Sequence, residues 1–138
     1  MSSQATEIAR ASFTRCVALP EFFPAFYRHF FAALPEAEPL FVKTNLARQH
    51  KLIEHAIKIL LIFPQQAGGE PTLLDRLAQK HGKAELGIAP AWYAPFLDSL
   101  VVTASQFDPE FTSEVGAAWR ESLQPGMDYM RDWDRTHR

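Results

Sequence analysis

Proline placement constrains this chain more than any other feature. Pro20, Pro24, Pro35, Pro39, Pro64, Pro71, Pro90 and Pro109 cut the 138 residues into segments of helix length. A proline ring locks φ and removes an N–H donor, so it brackets helices and breaks their interiors. No segment between these prolines carries the strict apolar/polar alternation that a half-buried strand needs. An all-α chain is expected, with about six to seven helices joined by short corners and residues 1–138 forming a single domain.

Each segment carries a one-sided apolar stripe. The first helix is read over about residues 5–19, with Ile8, Ser12 or Phe13, Cys16 and Leu19 on one side. A second follows Pro24, where Phe26, Tyr27, Phe30, Phe31 and Leu34 recur at helical spacing. PEAEPLF, residues 35–41, reads as a tight corner. Thr44 or Asn45 then caps a long helix whose inner face runs Leu46, Ile53, Ile57 and Leu60 and which is expected to end before Pro64. Residues 65–71, with Gly68 and Gly69, are the most loop-like stretch. Thr72 caps the next helix, which leads through Leu73, Leu74, Leu77 and Ala78 to His81. After Pro90 come Trp92, Phe96, Leu97, Leu100, Val101 and Ala104. Asp108 and Pro109 read as a cap followed by proline, and the last helix carries Val115, Trp119, Leu123, Met127 and Met130, with a kink expected at Pro125.

Charge and cysteine content exclude several function classes. Fourteen Lys and Arg against sixteen Asp and Glu give a net charge of -2, and no run of five or six like charges offers a nucleic-acid footprint. The single cysteine, Cys16, rules out an internal disulfide framework and any CxxC motif, which suits a reducing cytoplasm. The N-terminus lacks a basic region followed by an apolar stretch, and the apolar run at residues 59–63 falls far short of the ~20 residues that cross a bilayer. A cytoplasmic protein without a membrane span is expected. Eleven Phe, three Trp and three Tyr are many for so small an acidic domain.

No P-loop, dinucleotide fingerprint, HExxH, GxSxG or EF-hand loop is present. The candidates for chemistry are polar residues on apolar faces. Gln49 lies three after Leu46 and four before Ile53, His81 lies four after Leu77, and Tyr27 sits inside the aromatic stripe. Singly, each has an ordinary explanation: a hydrogen-bonded core histidine, a glutamine pairing with backbone, a tyrosine with its hydroxyl at the rim. Their order along the chain is more telling.

That order resembles the globin family, in particular single-domain bacterial haemoglobins and the haem domains of flavohaemoglobins. The match is carried by FYRHFFAALPEAEPLF (residues 26–41), QHKLI (49–53), LAQKH (77–81), GIAPAWY (87–93) and Ala118-Trp119, with Gln49 and His81 32 positions apart. The resemblance implies a globin fold packed around haem b, iron protoporphyrin IX. His81 would be the iron ligand, a neutral imidazole whose second nitrogen donates to a carbonyl or carboxylate. Phe41 would pack flat on the porphyrin, with Leu77 and Tyr93 also lining it. Tyr27 and Gln49 would be the distal pair, a phenol O–H and an amide N–H donating to the ligand, and Ile53 would close the distal side with an apolar wall.

The family also pairs the proximal tyrosine with a glutamate from the last helix. Here the matching place holds Asp134, one methylene shorter, and Tyr93 lies two positions further from His81 than in the family. His50 and His55 are offset from Gln49 by about 100° and 240°, which turns both away from the iron, and His29 is expected to face away from Tyr27. The implied function is reversible binding of O2, NO, CO or related small ligands, as in oxygen transport, extending to NO dioxygenation with electrons from a separate reductase. The alternative is a haem-based gas or redox sensor that signals through a partner protein.

Overall fold

A computed structural model describes residues 4–41, 46–66 and 90–132, and among these every regular element is helical. Five α-helices run in chain order: α1 (Gln4–Val17), α2 (Phe22–Ala33), α3 (Leu46–Gln66), α4 (Tyr93–Phe107) and α5 (Ser113–Arg131). Short 3-10 turns cover Pro35–Phe41 and Pro90–Trp92. The helix expected to end at His81 lies outside the described residues.

The prolines act mostly as read, with informative differences. α2 starts at Phe22, so Pro24 sits in its first turn, where a missing N–H costs nothing. α3 runs through Pro64 to Gln66 instead of stopping before it; with only two residues following, little of the helix depends on the lost donor. α5 contains Pro125 and runs on to Arg131, in keeping with one last helix that reaches Met127 and Met130. Its N-cap is Thr112, whose hydroxyl accepts from the Val115 N–H at 3.2 Å. Asp108 instead closes α4, with its own N–H donating to the Ala104 carbonyl. Gly116 has a packing reason, since a Cβ there would stand 2.9 Å from the tip of the Phe111 ring.

α1 and α3 both pack on α5, and α2 lies along α4. Trp119, Phe22, Phe26, Ile57, Leu100 and Leu123 are fully buried between them; burying each such side chain is worth ~1.5 to 3 kcal/mol. The first helix departs from its expected stripe at the end: Leu19 lies beyond α1 and is exposed, while Ala9, Ser12, Phe13 and Cys16 face inward.

Ser12 belongs to a polar network inside the core. Its hydroxyl donates to Asp108 Oδ2 at 2.6 Å and accepts from the Trp119 indole N–H at 2.9 Å. Arg15 grips both oxygens of Asp108, Nε to Oδ1 at 2.7 Å and Nη2 to Oδ2 at 2.9 Å. The Glu110 N–H donates to Oδ1 at 2.9 Å. One carboxylate thus ties α1 to the α4–α5 corner and, through Ser12, to α5. Burial opposes its charge, but the hydrogen bonds from Arg15, Ser12 and Glu110 outweigh that and hold its pKa at about 2.

Candidate functional site

α2 supplies an aromatic wall because its period of 3.6 puts Phe22, Phe23, Phe26, Tyr27 and Phe30 on the buried side. Phe26 and Phe30 stack at 5.8 Å, and Phe96 of α4 meets both rings edge-on at 5.0 and 5.4 Å. Tyr27 is 6% exposed and its hydroxyl oxygen is buried. Its ring lies against Phe26 at 5.1 Å and Phe31 at 5.6 Å.

Among the described side chains, α3 brings His50 to Tyr27. The two rings stack at 5.6 Å with 19° between their planes, and the same imidazole stacks on Phe23 at 5.7 Å and 27°. His50 is half-buried, while Arg48, Lys51, Leu52 and His55 along the same helix are exposed. Burial lowers the His50 pKa, so the ring is held neutral at pH 7. The sequence expectation for His50 concerned only its direction relative to the iron; the structure adds that the ring packs against α2. Residues three and four before Ile53 are both its neighbours on a helix, so spacing alone does not choose between Gln49 and His50. The stripe His50, Ile53, Ile57 and Leu60 is as regular as the one drawn through Leu46.

The other expected positions are distributed as follows. Ile53 is buried one turn beyond His50. Gln49 lies on α3, and Phe41 ends the 3-10 turn Pro35–Phe41; their side chains are outside the description, as are Leu77, His81 and Asp134 entirely. Tyr93 opens α4, half-buried against the core. His29 pairs with Gln106 of α4 at 2.8 Å, away from Tyr27 as expected. Cys16, buried, has its thiol pushed up to about 12 by desolvation first and then by Asp108, so it stays protonated and is no nucleophile. Among the described residues no helix is long and apolar enough to cross a membrane.

Chemically, the α2–α3 face combines an apolar wall with one phenol and one neutral imidazole. Side chains of these types can pack against a flat apolar group and donate a hydrogen bond to a small polar one.

Comparison with known proteins bears on what that group is. The globin family model matches residues 24–127. The chain is also similar to protein PA3967 of Pseudomonas aeruginosa PAO1, a crystal structure described as structurally highly homologous to a human haemoglobin. The identity is 29%, the match covers 94% of this chain and 98% of that one, and the TM-score is 0.87. No curated protein sequence matches the chain.

Proposed function

The chain belongs to the globin family, and from that premise we propose that it holds haem b and reversibly binds O2, NO or CO. The buried hydroxyl of Tyr27 within the α2 aromatic wall is the observation that carries this reading. Family membership implies haem and small gaseous ligands, and the described wall suits both. Phe23 and Ile53 contribute apolar side chains, and Tyr27 sets a phenol donor among them.

In this reading His81 would hold the haem iron, and Phe41, Leu77 and Tyr93 would pack around the macrocycle. When bound, haem supplies an iron centre that takes one diatomic ligand. Tyr27 Oη–H would donate to that ligand, and the Gln49 amide would join it. A donor in a water-poor pocket strengthens its bond, because the competing solvent is excluded. Ile53 limits access of water and protons to the same space. The proposal extends to NO dioxygenation with electrons from a separate reductase, and to a cytoplasmic location.

Tyr27→Phe combined with Gln49→Leu is expected to raise the O2 dissociation rate about ten-fold or more, since two bonds of ~1.5 kcal/mol or above are lost. Flash photolysis or stopped-flow exchange measures it, and an unchanged rate overturns the distal assignment. A purified protein without a Soret band, or a His81→Ala variant with an unaltered spectrum, overturns haem ligation by His81.

A further inference from the structure

The His50 ring does something the globin resemblance does not assign to it. α2 presents Phe23, Tyr27 and Phe31 at intervals of four residues, which places their rings one above another along one side of the helix. Phe31 covers Tyr27 from within α2 at 5.6 Å, tilted by 32°. His50 arrives from α3 and lies nearly parallel to both Phe23 and Tyr27. Tyr27 therefore has an aromatic ring from its own helix and another from a different helix against it.

We propose that His50 is a positioning residue: stacked on Tyr27 from α3, it fixes the plane of the phenol and so aims the Tyr27 hydroxyl donor. The inference deepens the ligand-binding reading and rests on it for its functional consequence. Its geometric half stands independently. A tyrosine oxygen lies on the χ2 axis, so χ2 rotation leaves the oxygen in place and turns the ring plane; because conjugation keeps the phenol O–H close to that plane, the plane sets the direction in which the hydrogen points. A ring packed against its face blocks the χ2 rotation, including the 180° flip. The neutral state of His50 favours this, because an uncharged imidazole has no charge to carry out to water. Contact through the ring face also defines what a substitute must supply, a flat aromatic group instead of a nitrogen atom.

The experiment compares the protein as purified, reduced and under CO, with His50→Phe, His50→Ala and Tyr27→Phe. Two readouts are taken: the C–O stretch in the infrared, and the Tyr27 ring-flip rate by NMR with ring-labelled tyrosine, assigned through Tyr27→Phe. His50→Phe is expected to keep the wild-type stretch and slow flips. His50→Ala is expected to accelerate the flips and move the stretch toward that of Tyr27→Phe. If His50→Ala leaves both readouts unchanged, the proposal is overturned. It is equally overturned if His50→Phe behaves like His50→Ala, since the imidazole nitrogen would then matter and the stack would not. A wild-type protein showing no CO band at all counts against the haem reading, while the flip rates still decide whether His50 holds Tyr27.

Discussion

The core polar network and the aromatic wall use polar side chains in opposite ways. Around Asp108, polar groups are spent on one another: Ser12, Arg15 and the Glu110 N–H all donate to one carboxylate, and Trp119 donates to Ser12. Around Tyr27, the two polar rings meet face to face, so packing sets their orientation. The first arrangement consumes its hydrogen-bonding capacity to join helices. The second holds a donor in place through the packing of its ring. Buried polar groups of the first kind act as structure, and those of the second kind are the ones to examine for ligand binding.

The sharpest way to break this contrast is Asp108→Ala. Removing one partner of a hydrogen-bonded buried pair strands the others, so the unfolding free energy should fall by about 3 kcal/mol, the partial exposure of Arg15 keeping the loss from being larger. Urea unfolding measures it, and the ligand dissociation rate should stay within two-fold, roughly 0.4 kcal/mol. A large change in that rate with little loss of stability would reverse the roles assigned to the two regions.

Acid separates them next. The folded pKa of Asp108, about 2, lies below its unfolded value of 3.8. The unfolded chain thus binds protons first, and the stabilisation is complete above pH 4 and lost as pH falls toward 2. Linkage makes that loss roughly 2 kcal/mol, and it should vanish in Asp108→Asn. His50 is also lowered, from 6.5, so its neutral form favours the fold and that contribution is lost as pH drops below 6.5. Urea midpoints against pH should show two separate windows, the upper one removed by His50→Phe and the lower by Asp108→Asn.

The aromatic wall was legible in the sequence because its signal is periodic. Phe26, Tyr27, Phe30 and Phe31 repeat at helical spacing, and the structure buries three of them fully and Phe31 in part. The network around Asp108 was not legible. Ser12 and Asp108 are 96 residues apart, and a serine on an apolar stripe, an arginine near a helix end and an aspartate before proline each have commoner local roles. Partnership across that distance is a product of how α1 lies over the α4–α5 corner, which no local pattern encodes. His50 falls between these cases: the period was visible and allowed His50 as well as Gln49 beside Ile53, and packing against Phe23 and Tyr27 is what the structure adds.

The smallest expected effect tests the saturation argument at its weakest point. Ser122, three residues after Trp119 on α5, is as buried as Ser12, yet its hydroxyl finds no hydrogen-bond partner among the described residues. A hydroxyl deprived of water and given nothing in return opposes folding, whereas one with both a donor and an acceptor supports it. Ser122→Ala should therefore be neutral or stabilise by up to about 1 kcal/mol, and Ser12→Ala should destabilise by about 1 to 2 kcal/mol because it strands the Trp119 indole N–H and takes one of its donors from Asp108. The two variants remove the same atom from the same degree of burial. Any difference between their unfolding midpoints measures the hydrogen bonds themselves, and equal midpoints would mean that the network around Asp108 contributes nothing beyond packing.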